Sequence, residues 1–181
     1  MRNNKFTGWN MVVAMLVILV PAALIYQFFS VTPDEPNLAT VDWKPAVAEA
    51  RTKANYPVLA PQELGDDWKV TKAKFVEKGK AITSKATAVG NTWLFGVHGP
   101  DKFYYEVEQR DADPAGLARE ASRTGYADGS STIGAKTWAR MTSPDDRTHC
   151  LFDQQGEVGT AVCADTSWES LESFVGKLRA S

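Results

Sequence analysis

Three charged side chains alternate along one predicted strand: Glu106, Glu108 and Arg110. Successive side chains of a strand point to opposite faces, so residues two apart share a face. Two carboxylates on one face could serve as a general acid and a general base, as in glycoside hydrolases. The alternative is the solvated face of an antiparallel sheet. The sequence favours this alternative, because no further carboxylate group is predicted opposite the pair, and we predict no catalytic residue.

The histidines, serines and glycines show no spacing that is typical of a catalytic or metal site. His98 and His149 are the only histidines, and no serine lies within a Gly-x-Ser-x-Gly motif. No glycine-rich segment has the pattern of a phosphate-binding loop. The sequence therefore predicts no metal, no cofactor and a protein that is not an enzyme.

Lysines are concentrated in one segment in which Glu77 is the only acidic residue: Lys69, Lys72, Lys74, Lys78, Lys80 and Lys85. Such a cluster could bind an anionic lipid or an acidic envelope polymer. The alternative, which the sequence favours, is an edge strand that lysines protect from aggregation.

Five tryptophans follow the first apolar segment: Trp43, Trp68, Trp93, Trp138 and Trp168. They could line an aromatic cleft, but large aromatic residues more often dominate a small core. We expect a core, with Trp43 and Trp68 the most exposed. If a ligand site exists in this region, its candidate residues are Trp43, Trp68, Lys69, Lys72 and Lys74.

The two cysteines, Cys150 and Cys163, fall in a predicted hairpin. A turn centred on Gly156 and Glu157 places them directly opposite each other, where their Cβ atoms come near disulfide distance. We predict a disulfide, with two buried thiols as the alternative. A metal site is not expected, because His149 points to the opposite face from Cys150.

Residues 9–29 form an apolar span of 21 residues, which as a helix covers about 30 Å, the thickness of a bilayer core. Arg2 and Lys5 precede it, whereas Asp34 and Glu35 follow it. The positive-inside rule then places residues 1–8 in the cytoplasm and the rest outside the plasma membrane. A cleaved signal peptide is the alternative, but no small-x-small site follows the span closely.

The remaining chain predicts one extracytoplasmic domain, residues 46–181, behind a proline-containing extended tether, residues 30–45. After residue 30 there are 18 basic and 22 acidic residues, so nucleic acid is not an expected partner. Helices are predicted at residues 45–54, at 114–123 with Asp113 as its N-cap, and at 167–178 with Asp165 or Thr166 as its N-cap. Alternation and turn residues predict strands at residues 68–76, 81–88, 92–98, 103–110, 132–133, 136–141, 148–154 and 157–164. The fold class is therefore α+β: an N-terminal transmembrane helix, then a mostly antiparallel sheet with packed helices.

Several segments together resemble a known family. These are the basic start, the apolar helix with Pro21, residues 56–61 (Tyr-Pro-Val-Leu-Ala-Pro), residues 64–68 (Leu-Gly-Asp-Asp-Trp) and residues 137–138 (Thr-Trp). The set is similar to the actinobacterial family catalogued as domain of unknown function 4245, although Gly65 stands where members usually carry Pro. The resemblance implies a membrane-anchored cell-envelope protein, and it supplies no activity and no catalytic residues.

These observations predict a non-enzymatic envelope module, held in the bilayer by residues 9–29. Its expected partners are an envelope protein, an anionic lipid or a cell-wall polymer. An assembly subunit whose anchor packs against another membrane protein is a further form of this hypothesis. The alternative from a different class is an envelope hydrolase with Glu106 or Glu108 as its acid or base.

Overall fold

A computed structural model describes the backbone of residues 8–29 and 38–180, and the side chains of residues 11–22 and 38–180. The chain divides into two compact units, Met1–Asn37 and Leu38–Ser181. Residues 1–7 of the predicted cytoplasmic tail and residues 30–37 of the predicted tether lie outside the described residues.

The first unit contains helix α1 (Gly8–Phe29), which is 22 residues long and includes Pro21. Its described large apolar side chains are exposed, from Val13 at 43% to Met11 at 77%. Among the residues whose side chains are described, no helix is long and apolar enough to cross a membrane. The transmembrane segment therefore stays a prediction from the sequence.

The second unit is an α+β domain built on a seven-stranded sheet in which every neighbouring pair is antiparallel. Its strands are β2 (Lys69–Val76), β5 (Thr92–His98), β6 (Tyr104–Arg110), β7 (Tyr126–Ile133), β8 (Lys136–Thr142), β9 (His149–Gln155) and β10 (Val158–Ala164). The order across the sheet is β2-β5-β6-β10-β9-β8-β7, so β2 and β7 are its edges. Two small pairs accompany the sheet: β1 (Leu59–Pro61) with β11 (Leu178–Ala180), and β3 (Ala81–Thr83) with β4 (Ala86–Thr87).

One face of the sheet carries the main core. Helices α2 (Trp43–Lys53) and α4 (Trp168–Val175) contribute buried residues to it. The β1–β11 pair is tied to this face by Gln109, whose Oε1 accepts a hydrogen bond from the Leu59 amide at 2.6 Å. Its Nε2 also donates to Pro57 O and to Thr160 Oγ1. A buried amide with both ends bonded fixes this layer more specifically than apolar contact alone.

The opposite face, here called the open face, is covered only in part. Helix α3 (Pro114–Ala121) packs on β10, where a Cβ on Gly159 would meet Pro114 Cα at 3.0 Å and Leu117 Cδ2 at 3.1 Å. The β3–β4 pair covers another region, where Ile82 packs against a small cluster that includes Val76 and Leu94. Between these two covers, side chains of β6 and β10 remain accessible.

Most predicted elements are confirmed, with differences at their ends. The single strand predicted at residues 81–88 is wrong, because this segment forms the antiparallel β3–β4 pair. Helix α2 begins at Trp43 and not at residue 45, because Asp42 is its N-cap and accepts from the Lys44 amide. Strand β7 begins at Tyr126, well before the predicted residue 132, and bulges between Ala127 and Ser130. Strand β7 is a mostly exposed edge strand, so its sequence lacks the alternation of apolar and polar residues from which a strand is predicted.

The C-terminal helix was placed wrongly at both ends. Ser167 is its N-cap and accepts from the Ser170 amide, so neither Asp165 nor Thr166 has that role. The helix ends at Val175, and Leu178 pairs with Pro61 in the β1–β11 ladder. A strand of three residues has too few positions to show a period of two.

The predicted disulfide is confirmed: Cys150 on β9 is bonded to Cys163 on β10. The two residues are direct cross-strand partners, as the position of the turn predicts. Gly156 supplies the positive φ, 60°, that the connecting turn needs. His149 lies on the other face, stacked on Trp168 at a centroid distance of 4.3 Å.

Replacing both cysteines by alanine is expected to destabilise the domain. The bond closes a loop with a sequence separation of 13, and restricting the unfolded chain by such a loop is worth about 3 kcal/mol at most. Denaturant unfolding of the full-length protein in detergent, followed by tryptophan fluorescence, measures the loss. A reducing agent should lower the free energy of unfolding of the natural chain and leave the double variant unchanged. Equal stability of the two proteins would contradict the role given to the bond.

Candidate functional site

A groove on the open face brings several ionisable groups together, and we call it the open-face groove. Its volume is about 490 Å³, within the range of ligand pockets in general. Strands β6 and β10 form its floor, the end of α3 forms one wall, and the β5–β6 turn forms another. Residues that line it include His98, Phe103, Tyr104, Glu106, Glu108, Glu120, Arg123, Cys163 and Asp165.

The alternation of β6 places the carboxylates on the floor. Tyr105, Val107 and Gln109 are buried on the core face, so Glu106 and Glu108 point the other way. Their cross-strand neighbours on β10 are Cys163 and Ala161. The shared face that the sequence predicted for these two carboxylates and Arg110 is confirmed.

The two carboxylates have different surroundings. Glu106 Oε1 accepts from Lys72 Nζ at 2.6 Å, across the sheet from β2. Glu108 is half-buried and has no hydrogen bond or ion pair to any residue that the structure describes. Burial raises the pKa of Glu108, and the carboxylates of Glu106 and Glu120 add to the rise, whereas the Arg110 guanidinium opposes it. A carboxyl group in a cleft with its pKa raised by burial is typical of a functional position.

Aromatic rings form the end of the groove near the β5–β6 turn. The rings of His98 and Tyr104 lie 5.0 Å apart, and Phe103 at the rim is 44% exposed. Tyr104 lies across Gly96 on the neighbouring strand, and a Cβ on that glycine would collide with the tyrosine hydroxyl. Glycine at this position therefore provides the space that the ring occupies.

Arg110 fixes the position of α3, which forms one wall of the groove. Its side chain is 4% exposed, and its Nη1 donates to Glu120 Oε2 at 2.9 Å while Nη2 donates to Asp113 O at 3.0 Å. Asp113 caps α3 with a φ of 47° and accepts from the Gly116 amide. Arg110 Nε has no hydrogen-bond partner among the described residues. The guanidinium thus joins β6 to both ends of α3.

The disulfide lies beneath the same wall. Both sulfur atoms face the carbonyl oxygen of Ala121, with Sγ–O distances of 3.4 Å for Cys150 and 3.8 Å for Cys163. Cys163 also lines the groove. The covalent link therefore fixes the two strands on which the last turn of α3 rests.

The structure separates the residues that the sequence proposed as ligand candidates. Trp43 and Trp68 belong to the core face, where Trp43 meets Phe95 edge-on and Trp68 stacks on Phe174. Lys72 and Lys74 lie on the open face, and Lys74 donates to the Ile82 carbonyl. These residues do not form one site, although each remains accessible in part.

Two interpretations from the sequence are confirmed here. β2, which carries Lys69, Lys72 and Lys74, is an edge strand. The core interpretation of the tryptophans is confirmed for Trp93 and Trp138, which are buried, whereas Trp43, Trp68 and also Trp168 are half-buried.

Sequence reasoning missed the contributions of Phe103, Tyr104, His98 and the end of α3 to one concave surface. Tyr104 could have been found, because it shares the period of Glu106 and Glu108 along β6. The wall formed by Glu120 and Arg123 could not, since it depends on where α3 packs.

Glu108 gives the domain a specific pH dependence. A carboxyl whose pKa is raised in the folded state destabilises that state while it is ionised. Its penalty is therefore relieved as the pH falls from neutral toward about 4.3, the value in an unfolded chain. Glu108→Gln is expected to remove this part of the pH dependence. The measurement is the change in the free energy of unfolding between about pH 5 and pH 7. The control is Glu157→Gln, which changes the same residue type in an exposed turn. The same change for both variants would contradict the assignment.

Comparison with known proteins gives a family without an assigned activity. Residues 5–178 match the family described as "Protein of unknown function (DUF4245)". No curated protein and no solved structure matches the chain. The match covers nearly the whole sequence, and the chain therefore belongs to the DUF4245 family of proteins of unknown function.

Proposed function

We propose that this protein is a membrane-anchored binding module of the cell envelope. In this proposal residues 9–29 hold the chain in the bilayer, and the domain from residue 38 onward binds a polar ligand in the open-face groove on the extracytoplasmic side.

One observation carries the choice of the groove: Glu108 is a half-buried carboxyl on its floor that has no partner among the described residues. Partial burial disfavours the ionised form of this carboxyl, and its pKa is raised for that reason. A ligand that brings a hydrogen-bond donor would satisfy it.

The surrounding groups favour a ligand with several hydroxyl groups, such as sugar units of a wall polymer. Glu106 and Glu108 offer acceptors, while Lys72 and Tyr104 offer donors beside them. The exposed ring of Phe103 provides an apolar surface of the kind that packs against a sugar ring. A few polar groups placed beside an aromatic surface are the usual composition of a small-molecule site.

The anchoring part of the proposal is supported by the sequence and by the disulfide. The 21-residue apolar span is preceded by Arg2 and Lys5 and followed by Asp34 and Glu35, which favours an internal N-terminus. The bond between Cys150 and Cys163 is typical of an oxidising compartment.

A second candidate is an acid/base hydrolase that uses the same groove. The observation that favours it is the unlike environment of the two carboxylates, with Glu106 ion-paired to Lys72 and Glu108 unpartnered. Two carboxyl groups with different surroundings can divide the roles of base and acid. Turnover of a bound oligosaccharide, lost in both Glu106→Gln and Glu108→Gln, would favour this candidate; binding without cleavage would favour the binding module.

Ligand binding can be tested with oligosaccharides released from cell-wall polymers, added to the full-length protein in neutral detergent. Glu108→Gln is expected to weaken binding about tenfold or more, because a hydrogen bond to a charged group contributes about 1.5–3 kcal/mol. Glu157→Gln changes the same residue type in an exposed turn and should bind as the natural chain does. Ligand-observed NMR measures both affinities. Equal affinities, or no binding by any fragment of the set, would contradict the groove assignment.

The anchor can be tested by charge substitution in α1, at positions where the described side chains are exposed. Val17 and Ile18 are 66% and 71% exposed. Replacing both by arginine costs about 2.5–3.5 kcal/mol for each residue within a bilayer, so the variant should leave the membrane fraction. Val17→Leu with Ile18→Leu is the control and should stay there after alkaline carbonate extraction. Release of the natural chain by that extraction would count against the anchor.

A further inference from the structure

A second concavity lies beside α2, on the core-face side of the domain, and we call it the basic depression. Its volume is about 750 Å³, and its lining includes Trp43, Lys44, Arg51, Glu63 and Lys177. Lys44 and Arg51 are seven residues apart, so they lie on the same side of α2, about 10 Å apart along its axis. Lys177 reaches the depression from the segment after α4. Three cations therefore surround one opening, with a single acid in the lining.

Three of the cations that have no carboxylate partner among the described residues lie together at this depression. Lys44, Arg51 and Lys177 are exposed and form no ion pair with any residue in the part of the chain that the structure describes. Elsewhere, carboxylates pair with Lys53, Lys72, Arg110, Arg123, Lys136 and Arg140. The contrast is notable because residues 38–181 carry 18 basic and 20 acidic residues, a net charge of -2. The positive charge of the depression is thus local and not a property of the whole domain.

Charge and chain length together point to one occupant. Unpaired lysine and arginine groups around a concavity are complementary to phosphate groups. Trp43, which also lines the depression, is half-buried, and tryptophan is favoured at membrane–water interfaces. Only residues 30–42 separate the end of α1 from the start of α2, a length of chain that reaches about 45 Å at most. Whatever surface holds α1 is therefore within reach of the depression.

We propose that the basic depression binds the phosphate groups of anionic lipids in the bilayer that anchors the chain. This rests on the anchoring part of the proposed function and is independent of the open-face groove. Lys44, Arg51 and Lys177 contact the headgroup phosphates, and the exposed part of the Trp43 indole lies in the interfacial layer.

The test uses the full-length protein in lipid nanodiscs, with an environment-sensitive fluorophore on Gln62→Cys, an exposed position in the lining of the depression. Both natural cysteines are in the disulfide, so the new thiol is the one that reacts. A second label at Ser130→Cys lies on β7, the edge of the sheet farthest from β2, against which α2 packs. In discs that contain anionic phosphatidylglycerol, nitroxide headgroups should quench the label at position 62 and not at position 130. In discs of neutral lipid alone, neither label should be quenched.

Two charge variants separate a specific site from general attraction. Lys44→Gln, Arg51→Gln and Lys177→Gln together should lower the ratio of docked to undocked domain on the order of 100-fold, because each cation contributes roughly fivefold near an anionic surface. Lys78→Gln, Lys80→Gln and Lys85→Gln remove the same charge from other exposed positions and should have little effect. Raising the salt to about 1 M, where the screening length is about 3 Å, should release the natural chain.

The outcomes are distinguishable. Failure of the chain to insert into any disc would overturn the anchor on which the inference rests. Stable insertion with no quenching at position 62 in anionic discs would overturn the inference and leave the anchor. Equal effects of the two triple variants would also overturn it. A spectral change at position 62 caused by a soluble glycerol-phosphate polymer, with no quenching in anionic discs, would assign the depression to that polymer instead of to lipid.

Discussion

The period of two along β6 is the constraint on which the rest of the domain depends. Tyr105, Val107 and Gln109 enter the core, and the residues between them therefore face the other side. A shift of one residue would move two carboxylates into an apolar core, which is prohibitively unfavourable. Because β6 lies between β5 and β10, its register is bound to theirs. Packing of the alternate residues of β6 in the core thus fixes the position of the carboxylates on the open face.

The open-face groove owes its shape to restraints of several kinds that meet at one helix. Arg110 joins β6 to both ends of α3, and the disulfide fixes the strands beneath its last turn. Gly159 lets the helix approach β10 closely. A wall held by ionic, covalent and steric restraints has little conformational freedom, so this side of the groove is rigid. The unlike surroundings of Glu106 and Glu108 follow from what lies in their cross-strand rows. Lys72 lies across Gly96 from Glu106 and pairs with it, whereas Lys74 lies across Leu94 from Glu108 and donates to the Ile82 carbonyl instead.

Much of the sheet could be predicted from the sequence, because hairpins and their turns are local. Cys150 and Cys163 were placed opposite each other by the position of the turn alone, and the lysines of β2 indicated an edge strand. The start of α2 was missed because Asp42 is a stronger start signal than Pro45. The β1–β11 pair was missed for a different reason: its partners are distant in sequence and three residues long.

The open-face groove could be predicted from the sequence only in part. Its floor follows from alternation along β6, which the sequence shows. Its walls depend on which parts of the open face α3 and the β3–β4 pair cover, and local patterns do not contain that information.

The β1–β11 pair also constrains the order in which the domain can form. Leu59 pairs with Ala180, and Pro61 pairs with Leu178. Strand β1 therefore cannot form its backbone hydrogen bonds until a strand about 120 residues later in the chain is present. Until residues 178–180 are available, the β1–β11 pair to which Gln109 is hydrogen-bonded is incomplete. Val58 and Ala60, which are fully buried in the folded domain, then lack contacts with Leu178 and its neighbours in the core. A chain that is still being synthesised can form its hairpins but cannot close this layer. Closure of this layer is therefore a late event, and loss of residues 178–180 would act on the first strand of the domain as well as on the last.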